Sequence, residues 1–268
     1  MGDKQRAWNP VLSILNRFGT VAPMSDAQRA RDLAYRDDRH KALQAAFPGL
    51  VKSAAPFHET LQQAHKVLNE GKQFSGIVRL SGLLLRNNLE NAGQFRTGPN
   101  RAGPFVAPAA KDVRPLMEGF GKAMDRLIGA AAASGDDAHA RLAAAWGLTV
   151  MIRVHPFMDG NGRTARTVMN LALAKSGQQP IDFPSDSEGV YKKSIVWQRL
   201  KDHMRGFVGK EGVDWSMNEG VVPPAGYSDK LNRLLTAEIT TVSLSSLAER
   251  ADVVAIADAL AHVRQHGF

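Results

Sequence analysis

The strongest constraint on this chain is the stretch His155-Pro156-Phe157-Met158-Asp159-Gly160-Asn161-Gly162-Arg163-Thr164-Ala165-Arg166, which separates two helical patterns. Pro156 disfavours the right-handed helical conformation at the residue before it. The apolar pattern over 138–154 must therefore stop at His155 and present an imidazole on a bend. The residues that follow, TARTVMNLALAKSG, read as a second helix starting near Asn161. Gly160 and Gly162 read as positive-φ positions that let successive backbone N–H groups converge on an anion. The positive end of the second helix points at the same place. Arg163 and Arg166 are three apart, so they share one helical face, where their forks suit phosphate oxygens. Asp159 is a hard oxygen ligand of the kind that suits Mg²⁺ bridging phosphates. Helix, bend, glycine turn and helix thus describe a phosphate-handling site within one segment.

These residues resemble the signature of the Fic family, His-Pro-Phe-x-Asp/Glu-Gly-Asn-Gly-Arg-x-x-Arg, at all nine fixed positions. The resemblance implies an all-α fold: a Fic helical core with a short β-hairpin flap over the active site. Most Fic proteins transfer AMP from ATP to a Ser, Thr or Tyr hydroxyl of a target protein. By the same resemblance His155 is the general base and Asp159 the Mg²⁺ ligand. Gly160, Asn161 and Gly162 form the anion hole for the α- and β-phosphates, with Arg163 and Arg166 on the β- and γ-phosphates. Phe157 is a core anchor for the loop. Tyr191 stands where Fic proteins often carry an aromatic near the nucleotide base; a tyrosine packed into the core is the competing reading.

General chemistry agrees with a base at this place. A Tyr hydroxyl titrates near about 10, and Ser or Thr higher, so attack needs a proton acceptor. An imidazole with an ordinary pKa of about 6.5 is mostly neutral at pH 7. Its position just after a helix C-terminus favours the charged form, a modest penalty.

Upstream, Asn91-Ala-Gly-Gln-Phe95-Arg96-Thr97-Gly98-Pro-Asn-Arg-Ala-Gly103-Pro-Phe105-Val106 precedes a helical run beginning near Ala109. Gly98, Pro99, Asn100 and Gly103 are turn formers between short extended pieces, which predicts a hairpin; a plain surface loop is the alternative. The segment is similar to the Fic flap, which pairs with the target's backbone. That similarity makes Phe95, Arg96, Thr97, Gly98 and Phe105 candidates for target binding.

The remaining sequence sets outer limits. The chain has 268 residues, 44% hydrophobic and 22% charged, enough for one substantial core with appendages. No run of about 18 apolar residues suggests a membrane helix, and no secretory or myristoylation layout opens the chain. With no cysteine, disulfides, thiolate metal sites and cysteine nucleophiles are excluded. A cytoplasmic protein fits, or an effector delivered into a host or competitor cell. The net charge of +8 is scattered from Lys4 to Arg264 and forms no basic stripe, so no nucleic acid is expected; an acidic protein partner fits better.

Three parts follow: an N-terminal extension over 1–56, a Fic core over 57–208, and a linker with a C-terminal helical segment over 209–268. Ser25-Asp26 caps a polar helix running through Leu43. Helical periodicity covers 57–70, 73–88, 110–132 and 138–154, and Ser185–Glu188 caps a helix reaching about Gly206. The C-terminal segment over 228–268 is read as helical at both ends. His65, His139 and His203 read as ordinary surface or helix residues, and Met151, Met158, Met169 and Met204 as core filling.

Many Fic proteins inhibit themselves through Ser/Thr-x-x-x-Glu-Gly/Asn, whose glutamate pairs with the second motif arginine, here Arg166. Of the nine glutamates only Glu249 has a Ser or Thr four residues before it, Ser245, and Arg250 follows where Gly or Asn is expected. The full motif is therefore absent. A degenerate self-inhibitory helix, a separate antitoxin-like inhibitor and no inhibitor remain as readings. Transfer of UMP, phosphocholine or phosphate and a non-catalytic nucleotide- or protein-binding module stand as alternatives to AMP transfer.

Overall fold

The computed structural model describes residues 26–70, 92–102, 105–182, 193–210 and 226–267. Within them run α1 (Asp26–Lys52), α2 (Phe57–Asn69), β1 (Arg101–Ala102), β2 (Phe105–Val106), α3 (Ala110–Ser134), α4 (Asp137–Val154), α5 (Asn161–Lys175), α6 (Ile195–Lys210), α7 (Tyr227–Thr241), α8 (Leu244–Ala248) and α9 (Ala251–His266). The architecture is all-α with one antiparallel hairpin, in the register Arg101↔Val106 and Ala102↔Phe105.

The centre is α4. From Leu142 to Met151 every residue is buried. A helix apolar all round must be enclosed on all sides, and α3, α5, α8 and α9 do this. Its start is set by Asp136, whose carboxylate accepts from the Ala138 N–H at 2.8 Å, a conventional N-cap. Gly147 sets how closely the neighbours approach. A Cβ there would meet Val168 Cγ1 at 2.9 Å and Met124 Cε at 3.1 Å, so glycine is what lets α5 and α3 close on α4 together.

The amphipathic helices follow from spacing. On α2, Phe57, Leu61, Ala64 and Leu68 recur at helical intervals and form the buried face. Helix α3 buries Val113, Met117, Phe120, Met124 and Leu127, and ends where Gly135 takes φ 65°, the left-handed conformation that commonly closes a helix.

The expected helices over 57–70, 110–132 and 138–154 are present with ends within two residues of those read from periodicity. The helix expected over 73–88 and the cap at Ser185–Glu188 fall outside the described residues, as do Ser25 and most of the 209–226 linker. The C-terminal segment is helical at both ends, with α8 between. Its helices bury Leu231, Leu235, Ile239, Val253, Ile256 and Leu260 in the same core as α3, α4 and α6. At the other end, α1 lies along α2 and α5. No described helix is long and apolar enough to cross a membrane.

Candidate functional site

The bend after α4 is built as Pro156 requires, with one difference. His155 caps the helix by donating its N–H to Met151 O at 3.0 Å, but it sits in the left-handed region, φ 47° and ψ 57°, and not in an extended conformation. It is the one non-glycine residue with positive φ among the described residues. Such a conformation costs on the order of 1–3 kcal/mol and persists only where its surroundings impose it. The surroundings here are explicit. Arg96 donates from Nε to His155 O at 2.8 Å, and its backbone N–H donates to Pro156 O at 2.8 Å. The Arg96 fork also reaches Gly98 O at 2.8 Å and Pro108 O at 2.6 Å.

The loop is braced from three further directions. Phe157 is fully buried and stacks on His65 with ring centroids 3.7 Å apart. Asn161 clamps the same residue: its Oδ1 accepts from Phe157 N at 2.9 Å and its Nδ2 donates to Phe157 O at 2.7 Å. Asn100, from the hairpin segment, donates to the carbonyls of Phe157 at 2.7 Å and Met158 at 3.1 Å. His65 accepts the Gly93 N–H at Nδ1, 2.9 Å, so its Nε2 carries the proton donated to Asp159 O at 2.9 Å. A single imidazole therefore ties α2 to both the motif loop and the segment leading to the hairpin.

Gly160 has φ 74° and opens α5, and a Cβ there would sit 2.6 Å from the Asn69 amide, so no other residue fits. Gly162 differs from expectation. It lies in the first turn of α5 without positive φ, and a Cβ on it would meet nothing within 4 Å. The backbone N–H groups that converge here are therefore those any helix leaves unpaired in its first turn, with Gly160 making the turn. Asp159 is half-buried, and its Oδ1 accepts from Gly160 N at 2.6 Å.

Arg163 and Arg166 line one cavity of about 290 Å³ between α1, α2 and α5, as their three-residue spacing predicts. Arg163 is held by Asn69 Oδ1 at 2.6 Å and Leu68 O at 3.3 Å. Arg166 is buried.

Electrostatics at His155 correct the reading from helix polarity. Burial, the largest influence, pushes the imidazole down to about 4; the Ile152 carbonyl and Asp159 pull it up, and Arg96 pushes it further down. Desolvation outweighs the helix terminus, and the ring is neutral at pH 7.

The flap residues divide. Phe95, Arg96 and Phe105 are turned into the protein, Phe95 lying 5.5 Å from the Phe157 ring. Thr97 is exposed and Gly98 half-exposed, so of these five residues they are the two that reach the surface. Tyr191 lies outside the described residues. Glu249 is exposed at the end of α8, which packs on α3, α4 and α9, whereas Arg166 faces α1 from α5.

Sequence reading missed four residues. His65 is buried, not a surface residue; its place four after Leu61 and three before Leu68 on the apolar face of α2 is the signal that marks it. His203 is likewise buried, donating from Nδ1 to Asp252 at 2.8 Å. Arg153 is fully buried two residues before His155 and forms a fork with Glu238 of α7, at 2.6 and 2.7 Å. Glu238 also accepts from Trp146 Nε1 and Arg250 Nη1, each at 2.7 Å. Nothing local in the sequence marks that pairing.

Residues 58–173 match the Fic/DOC family. Over 99 residues the chain is 32% identical to the Protein adenylyltransferase Fic of Drosophila persimilis and 31% to that of Drosophila melanogaster. The match takes in 37% of this chain but only 18% and 19% of those relatives, so the chain spans less than a fifth of their length. Among solved structures, a Fic domain containing signaling protein from Bacteroides thetaiotaomicron aligns over 91% of this chain and 79% of its own, at 15% identity and a TM-score of 0.39. The motif loop, the glycine turn and both arginines all lie inside residues 58–173, the span that matches the Fic/DOC family.

Proposed function

We propose that this protein is a Fic-type transferase that moves AMP from Mg-ATP to a Ser, Thr or Tyr hydroxyl of a target protein. The observation that carries the reading is His155: a half-buried, desolvated imidazole held neutral at pH 7, on a bend leading directly into the N-terminal end of α5. Phosphate binding alone needs the helix end and the arginines but not a base. The names of the relatives, protein adenylyltransferases, favour AMP as the group transferred.

The donor set suits Mg²⁺. Among the described residues no cluster of three or more His, Cys, Asp or Glu side chains forms a metal cage. Asp159, one half-buried carboxylate beside the start of α5, is the ligand type that Mg²⁺ uses when substrate phosphates and water complete its shell. When bound there, the ion supplies charge neutralisation for the phosphates.

The chain's own residues account for the rest. The open space in front of Gly162 admits a phosphate to the unpaired N–H groups of the first turn. Arg163 and Arg166 hold the distal phosphates. His155 accepts the proton of the target hydroxyl as its oxygen bonds to the α-phosphorus; the bond to the bridging oxygen breaks, and pyrophosphate leaves. Asn161 and His65 keep the loop in place through Phe157 and the Asp159 carbonyl. Exposed Thr97 and the hairpin edge face the target. Its partners are that target protein and, in the antitoxin-regulated reading, a small inhibitor.

Intact-mass measurement tests this. Candidate targets and the enzyme itself are incubated with wild type or His155→Ala, Mg²⁺, and ATP, UTP or CDP-choline. A gain of one AMP that needs His155 supports the reading; a gain from another donor moves the function to that group; binding of ATP without transfer to any protein, even from a full lysate, overturns it.

A further inference from the structure

The helix that delivers His155 is gripped on one face by a carboxylate from outside the family-matched residues. Glu238 lies on α7, beyond the span 58–173. Its Oε2 accepts from Arg153 Nη1 at 2.6 Å, and its Oε1 accepts from Arg153 Nη2 and from Trp146 Nε1, each at 2.7 Å. Trp146 and Arg153 are seven residues apart, about two turns along the same face of α4. Both are fully buried, and Arg153 also donates from Nε to Thr149 O at 3.3 Å. A carboxylate seated between two donors so placed fixes α4 against both sliding and turning. Glu238 is itself held: Arg250 donates to Oε1 at 2.7 Å and to Asp252 at 3.0 Å, and Asp252 pairs with His203 of α6 at 2.8 Å.

The bend at His155 needs such a hold. Its φ of 47° is strained and relaxes unless the surroundings fix it. Arg96 takes the carbonyl of His155, and Asn161 takes Phe157, both from the loop side of the bend. Arg153 anchors the other side, in the last turn of α4 and two residues before the imidazole. The charges that shift the imidazole are those of Arg96 and Asp159, so the fork to Glu238 works on where the ring stands.

Resting on the reading above, we infer that Glu238 is a positioning residue for transfer. Through Arg153 it sets where the last turn of α4 delivers the His155 ring, and it makes the C-terminal segment part of the scaffold of the active site. A guanidinium–carboxylate fork is directional, whereas an apolar pair is not. Replacing one by the other therefore separates holding the ring from stabilising the fold.

Two measurements on the full chain test this: steady-state AMP transfer from Mg-ATP to whichever protein the intact-mass assay identifies, and NMR of the His155 ring at pH 7. In the double replacement Arg153→Met with Glu238→Leu, kcat is expected to fall by about tenfold to a hundredfold, the scale for a misplaced reacting group. KM for ATP and the pH dependence of kcat stay as in the wild type, as for an interaction that matters in the transition state, and the ring resonance is displaced or broadened. Glu238→Gln keeps the shape of the side chain and alters one arm of the fork. It is expected to show the same split at smaller size, and it carries the test if the double replacement fails to fold. An unaltered kcat, a loss carried by KM instead, or a ring resonance identical to that of the wild type overturns the inference and leaves the proposed function standing. A wild type that transfers nothing overturns the proposed function. The ring resonance then decides alone, displacement supporting the positioning role and coincidence with the wild type overturning it.

Discussion

Two buried arginines flank His155, and they are partnered in opposite ways. Arg153, two residues before it, meets a carboxylate, Glu238, through both arms of its fork. Arg96, which grips the carbonyl of His155 itself, meets carbonyl oxygens: those of His155, Gly98, Pro108 and, at 3.4 Å, Val154. Burial would raise the Glu238 carboxyl, but the charges and hydrogen bonds of Arg153 and Arg250 outweigh it and hold the group well below the usual carboxylate range. Burial pushes Arg96 down to about 10, which still leaves it charged at pH 7. Hydrogen bonds to carbonyls satisfy its donors without cancelling its charge. Arg96 is accordingly the arginine that lowers the imidazole of His155. A buried charge with a counter-ion joins helices; one with only dipoles around it acts on its neighbours.

The largest expected effect comes from breaking the cancelled pair. Glu238→Ala removes the carboxylate that Arg153 meets in the interior, which costs about 3–5 kcal/mol, and takes the acceptor from Trp146 Nε1. Urea denaturation reads the loss; a change under about 1 kcal/mol, the scale of an exposed pair, would mean that water reaches Arg153 and the two arginines are not different in kind. The double replacement Arg153→Met with Glu238→Leu is expected to recover most of that stability, because an apolar pair removes both desolvation costs.

Arg96→Leu is the matching break on the other side. It strips donors from buried carbonyls, about 1–3 kcal/mol, and removes a positive neighbour from His155. The imidazole, about 4 in the wild type, then titrates higher while staying below 6.5, since burial remains the larger influence. NMR titration of the His155 ring checks this. If Arg96→Leu leaves the ring unmoved, the charge of Arg96 is screened and the comparison fails.

The pH dependence of stability sharpens the contrast in sign. Glu238 and Asp252 both have depressed folded pKa values; for Asp252 the hydrogen bond from His203 is the largest cause. Depressed carboxylates contribute stability that is fully present above the unfolded value, about 4. That contribution is lost as pH falls through the folded values below it. Thermal unfolding of the wild type is expected to fall steeply in that acid range, and that of the double replacement less so.

The smallest effect is expected for Glu238→Gln on the His155 titration, which stays at about 4 by NMR even as the protein loses stability. A shift as large as that of Arg96→Leu would show that both arginines act on the ring.

Legibility in the sequence followed distance along the chain. The halt of α4 before Pro156, the turn at Gly160, the start of α5 and the shared face of Arg163 and Arg166 all depend on torsions and spacings within a few residues. They were readable, as was the hairpin between turn formers. Gly162 was misread because positive φ and open space both select glycine, and only coordinates separate them. Asn161 belongs to the motif, but its amide is spent on Phe157, a use that composition does not reveal. Phe95 and Phe105 turn inward because burial in the apolar core removes their rings from water.

What the sequence determined by itself is therefore the local make-up of the loop: an imidazole, a carboxylate, a glycine turn and two arginines in register, since covalent geometry and helical period act over short range. What only the tertiary structure decided is the state of those groups. The partners of Arg96 and Arg153 come from 59 and 85 residues away, and the neutral imidazole of His155 is a consequence of burial. Desolvation and charge pairing depend on what the folded chain brings close in space, and neither quantity exists until the helices have packed.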